Sequence, residues 1–99
     1  MISIYTTCKN KAEADKIANA LLKNKSTACA NIFSINSVYL WKGKITKDKE
    51  YALLLKTSKS FKTVEKQIKK LHSYKIPCIE KINADFNKEY KNWIKKELK

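Results

Sequence analysis

Val38-Tyr-Leu-Trp41-Lys-Gly43-Lys-Ile-Thr-Lys-Asp-Lys-Glu50-Tyr-Ala-Leu-Leu-Leu-Lys56 is the stretch on which the fold turns. Two apolar runs, Val38–Trp41 and Tyr51–Leu55, flank a polar bend that opens with Gly43, the only glycine of the chain. Glycine takes positive φ without a steric penalty, so its placement between two strand-like runs marks the turn of a long β-hairpin. Side chains alternate across a strand, and here both faces are apolar. Val38 and Leu40 oppose Tyr39 and Trp41, while Tyr51, Leu53 and Leu55 oppose Ala52 and Leu54. Helices of the same chain can cover one face of such a hairpin. The other needs a second cover.

Outward from the hairpin, Ile2–Thr7 alternates as a first strand. Asn10, three residues before Glu13, caps a helix whose stripe is Ala14, Ile17, Ala18, Leu21 and Leu22, running to about Lys25. Ala28–Phe33 reads as a strand, and Ser34–Ser37 as an irregular joint into the hairpin. Ser58 or Ser60 caps a second helix with Phe61, Val64, Ile68 and Leu71 on one face. A short connection carrying His72, Tyr74 and Pro77 leads to the strand Cys78–Ile82. A last helix aligns Phe86, Tyr90, Trp93, Ile94 and Leu98. The order β-α-β-β-α-β plus a helix predicts an α+β, ferredoxin-like sandwich with a long central hairpin and an additional C-terminal helix.

At 99 residues, the chain has room for one domain, 1–99, with one modest core. No apolar run approaches the roughly 20 residues of a membrane span, and the start lacks the features of a signal peptide. The expected compartment is cytoplasmic. Cys8, Cys29 and Cys78 are too few and too scattered for a disulfide framework or a closed zinc site. The net charge of +13 invites a nucleic-acid reading. Against it, every basic residue is lysine, arginine is absent, and the lysines spread along the whole chain. No phosphate loop, dinucleotide fingerprint or nucleophile elbow is present, so neither an enzyme nor an organic cofactor is expected. An apolar second face and the free edges of the hairpin predict a homo-oligomer in which strands meet across subunits.

Chemistry concentrates at few positions. His72, the only histidine, stands one residue past a helix. Its ordinary role there is to cap the last carbonyls. The functional alternative is a metal ligand or a titrating group, helped by Tyr74 and by Cys78 six residues on. An imidazole and a thiol suit Cu(I), Cu(II) or Zn(II), while Cys29 reads first as a small core residue. Glu50 differs from the other carboxylates in opening a strand opposite the lysine-rich end of the hairpin.

Four motifs in register carry a family resemblance. They are Ala28-Cys29-Ala30-Asn31, Tyr39-x-Trp41-x-Gly43-Lys44-Ile45, Leu54-Leu55-Lys56-Thr57 and Leu71-His72-x-Tyr74-x-x-Pro77, followed by Tyr90-x-x-Trp93-Ile94. Together they resemble the CutA family of divalent-cation tolerance proteins over nearly the whole chain. The resemblance implies a fold similar to the PII signalling proteins and a tight homotrimer with interlocking hairpins. It also implies an association with copper or another divalent metal and a role in the response to metal ions. Cys29, Tyr39, Trp41, Lys44, Glu50, Lys56, His72, Tyr74 and Pro77 repeat the family pattern, which gathers them near clefts between subunits. Two departures stand out. Ser73 replaces the proline of the usual His-Pro-Tyr, which predicts a less rigid loop, and Cys78 replaces a glutamate, which favours softer metals. A cysteine tied to copper in some bacterial members has Thr6 as its counterpart, with Cys8 two residues later.

The function expected is therefore that of a cytoplasmic, non-catalytic homotrimer binding a metal ion at His72, Cys78 and Cys29. Two alternatives stand beside it. One is a PII-like sensor taking an anionic small molecule in a cleft lined by Tyr39, Trp41, Lys44, Glu50, Lys56 and Tyr74. The other is a trimeric scaffold that anchors a partner protein.

Overall fold

The computed structural model describes all residues, Met1–Lys99. Its elements are β1 (Ile2–Cys8), α1 (Lys11–Lys23), β2 (Cys29–Trp41), β3 (Lys44–Thr57), α2 (Phe61–Leu71), β4 (Ile79–Asn83) and α3 (Lys88–Glu97). The four strands form one antiparallel sheet in the order β2-β3-β1-β4. This is the expected ferredoxin-like arrangement.

Local chemistry starts and stops the elements. Asn10 Oδ1 accepts from the Glu13 N–H at 2.8 Å, and Ser60 Oγ accepts from the Thr63 N–H at 3.2 Å, so both helices open on a side-chain cap. Of the two serines considered, Ser60 is the cap. At the hairpin tip Lys42 and Gly43 take φ of 50° and 78°, the pair of left-handed residues that a two-residue type I′ turn requires. That tight turn sets the register from Trp41↔Lys44 back to Cys29↔Lys56 without interruption. The expected joint at Ser34–Ser37 is absent: these residues pair with Tyr51, Glu50, Lys49 and Asp48. The expected polar bend is mostly strand as well, because a two-residue turn leaves the flanking charged residues no alternative to pairing.

One face of the sheet carries the core. Ile4 and Cys8 of β1 and Leu53 and Leu55 of β3 pack with Ala14, Ile17, Ala18 and Leu21 of α1 and Val64 and Ile68 of α2. On the opposite face, α3 buries Ile94 and Leu98 at the end where Tyr90 meets Cys29. The tip half of the hairpin lies bare. Val38, Leu40, Trp41 and Ile45 are 64%, 72%, 54% and 75% exposed, and the molecule extends 45 Å along its longest axis.

Candidate functional site

The loop after α2 is fastened to three elements. The His72 backbone N–H closes the helix on the Ile68 carbonyl at 3.0 Å. The imidazole does not cap the helix. Its Nε2 lies 2.8 Å from the Thr7 carbonyl oxygen, and its Nδ1 accepts from the Tyr74 N–H at 3.1 Å. An acceptor at Nδ1 and a carbonyl at Nε2 assign the neutral tautomer with its proton on Nε2. Ser73 then donates its N–H to Glu13 Oε2 at 3.0 Å, and Tyr74 donates its hydroxyl to Glu50 Oε2 at 2.7 Å. Ser73 brings one bond that a proline could not make. A proline has no N–H, and the serine supplies the one that Glu13 holds.

Glu13 is only 8% exposed. Its other oxygen accepts from the Lys9 N–H at 3.2 Å. Burial pushes its pKa up, but the hydrogen bonds from Ser73 and Lys9 and the nearby His72 outweigh this and hold the carboxyl below its usual range. Cys8 completes the group: donor atoms of Cys8, Glu13 and His72 all lie within 4.8 Å of one another. Burial, followed by the charges of Glu13 and Glu50, pushes the Cys8 thiol up to about 12. An imidazole, a carboxylate and a thiol make a mixed donor set suited to a borderline ion of the copper or zinc class.

The expected metal ligands are not all brought together. His72 belongs to this group. Cys78 is exposed and level with Thr7 at the start of β4, whereas Cys29 lies on β2 at the other edge of the sheet. Two strands separate them, so at about 4.8 Å per strand the two thiols stand at least ~14 Å apart in one protomer. Cys29 instead lies beside Tyr90, whose phenol is pushed up to about 12, first by Cys29 and then by burial. Glu13 and Cys8 were missed as donors. Asn10-x-x-Glu13 marked only a helix start, and the partner of Glu13 is sixty residues away.

A cavity of about 670 Å³ opens beside the same loop, lined in part by Tyr39, Trp41, Asp48, Glu50, Tyr74 and Cys78. Four of the six residues expected in a ligand cleft meet there: Tyr39, Trp41, Glu50 and Tyr74. Lys44 and Lys56 do not line it. Lys56 bonds Asn31 farther along the sheet. Thr6 faces the core fully buried, with no partner for its hydroxyl.

Comparison with known proteins follows the same outline. The family model described as CutA1 divalent ion tolerance protein matches residues 2–97. The divalent-cation tolerance protein CutA of Pyrococcus horikoshii is 39% identical over 100% of this chain and 99% of its own. The crystal structure of CutA1 from that organism superposes with a TM-score of 0.95, covering 100% of this chain and 99% of that one. The PII-like protein CutA from Nostoc sp. PCC 7120, in apo form, is 27% identical, with a TM-score of 0.92 over 100% of this chain and 98% of its own.

Proposed function

Because the chain belongs to the CutA1 divalent ion tolerance family, we propose that it acts by binding metal ions, without a catalytic reaction, as a homotrimer in a reducing cytoplasm. The observation that carries the metal reading is the meeting of Cys8, Glu13 and His72 donors within 4.8 Å. His72 is the shared member with the ligand pair expected from the sequence. Cys8 and Glu13 replace Cys29 as its companions, and Cys78 stands nearby across Thr7.

This donor set fits a copper- or zinc-class ion, which would be sequestered there as a coordinated cation. The residues also set a cost. Both imidazole nitrogens are engaged, by the Thr7 carbonyl and the Tyr74 N–H, so ligation by His72 means giving up one of these bonds. The Cys8 thiol must lose a proton that burial helps it keep. Binding at such a site is weak and coupled to the loop after α2, which suits a protein that responds to ion excess.

Support for the trimer comes from the bare hairpin. Leu40 and Ile45, 72% and 75% exposed, face each other across the ladder near its tip. An apolar surface of this kind favours a partner surface of the same chain. Three free cysteines support a reducing compartment.

Titration calorimetry with Cu(II) and Zn(II) tests the metal reading. Wild type binds, and His72→Ala and Cys8→Ser each weaken binding at least tenfold. Equal affinity in all three overturns it. Light scattering tests the assembly, where a mass of three times 11.5 kDa is expected and a single 11.5 kDa species refutes it.

A further inference from the structure

The cavity beside the His72 loop differs in charge from the rest of the molecule. The chain holds 22 lysines against 9 carboxylates, yet Asp48 and Glu50 both line this cavity and Lys75 is its one cation. Tyr74 donates to Glu50 at 2.7 Å and Tyr39 donates to Asp48, so each carboxylate is held in place by a phenol while keeping further lone pairs free. Standing two residues apart on β3, the two share one face, with backbones about 7 Å apart. Tyr39 and Trp41 line the same cavity, on the hairpin-tip side of the two carboxylates in the ladder. The Trp41 ring already carries a cation, for the Lys42 ammonium sits 5.9 Å from its centroid.

Carboxylates outnumber lysines two to one in the lining of the cavity. Burial, then the hydrogen bond and charge of Glu50, push the Tyr74 phenol up. Burial, then Glu80 and Glu50, do the same to the Cys78 thiol. An anion finds no lysine pair here, since Lys44 and Lys56 lie elsewhere. A bare metal ion finds no cage, because the one group of three clustered donors is Cys8, Glu13 and His72. A roomy, aromatic-walled cavity with two separated carboxylates fits an elongated organic cation.

We propose that this cavity binds a linear aliphatic diammonium, one ammonium on Asp48 and the other on Glu50, its carbon chain against Tyr39 and Trp41. The site shares no ligand with the Cys8, Glu13 and His72 group, and it stands or falls apart from the metal reading. The assembled protein is titrated calorimetrically with 1,4-diaminobutane, n-butylamine and 1,4-butanediol, with Trp41 fluorescence as a second readout. One diamine binds per chain, the monoamine binds at least tenfold more weakly, and the diol does not bind. Glu50 is nearly buried and its replacement risks the fold, so the exposed Asp48 carries the variant test. Asp48→Asn lowers diamine affinity at least tenfold with an unchanged circular dichroism spectrum. Cys8→Ser retains diamine binding while its metal affinity falls at least tenfold. Absence of saturable diamine binding at millimolar concentration overturns the proposal, as does a diol that binds equally or an Asp48→Asn protein of unchanged affinity.

Discussion

Removing the Glu13 carboxylate is expected to loosen the molecule far more than its place on an N-terminal helical turn suggests. It accepts from two backbone N–H groups, Lys9 at 3.2 Å and Ser73 at 3.0 Å, and so joins the end of β1 to the loop after α2. Hydrogen bonds to a charged acceptor contribute about 1.5–3 kcal/mol each, and at part-buried positions the lower figure applies. Glu13→Ala therefore costs about 3 kcal/mol, which for a chain of this size lowers Tm by roughly 12–24 °C. Glu13→Gln keeps one acceptor oxygen and loses about half as much. The pH dependence follows from the depressed folded pKa of Glu13. Its contribution is complete above the unfolded glutamate value of about 4.3 and is lost as pH falls through the lower folded value. Guanidinium unfolding at fixed protein concentration, repeated from pH 7 to pH 3, measures both effects. A Glu13→Ala protein within about 0.5 kcal/mol of wild type refutes the reasoning, because the two N–H groups then lose nothing. A difference that does not shrink in acid refutes it too, because the charge of the carboxylate then contributes nothing.

Gly43→Ala costs about 1 kcal/mol by urea unfolding, entirely through backbone strain at φ of 78°, because no atom lies within 4 Å of the added methyl. Ile94→Ala costs about 2–4 kcal/mol, since Ile94 is fully buried where α3 docks, and an unchanged unfolding midpoint would show that the helix is not held there. Thr6→Val is neutral or stabilising by about 1 kcal/mol, because it removes a buried hydroxyl without a partner at nearly constant shape. A clear loss on that substitution would reveal a bond to the hydroxyl.

Element order, both helix caps and the turn glycine were legible in the sequence because each is written within a few residues. Asn10 and Ser60 lie three positions before the N–H they cap, and Gly43 lies within its own turn. The length of the hairpin was not legible. Lys47, Asp48 and Lys49 are poor strand formers by composition, and only the register imposed by the Lys42–Gly43 turn carries them into the ladder. The candidate site divides the same way. Tyr39, Trp41, Glu50 and Tyr74 were marked by the family resemblance and meet in one cavity. The Cys8, Glu13 and His72 group depends on contacts across sixty residues, which no local pattern encodes.

The bond from Ser73 to Glu13 also makes two distant positions a single unit of inheritance. With Glu13 present, Ser73→Pro stiffens the loop but strands a nearly buried carboxylate oxygen. With Glu13 already gone, the same proline removes nothing and restricts only the unfolded chain. The effect of the change at residue 73 thus depends in size, and even in sign, on the residue at position 13. Of the two routes to a proline-bearing loop, the one that first gives up the glutamate then gains from the proline. Either first step costs stability, and the loss of the glutamate costs more, because it removes two hydrogen bonds where the proline removes one.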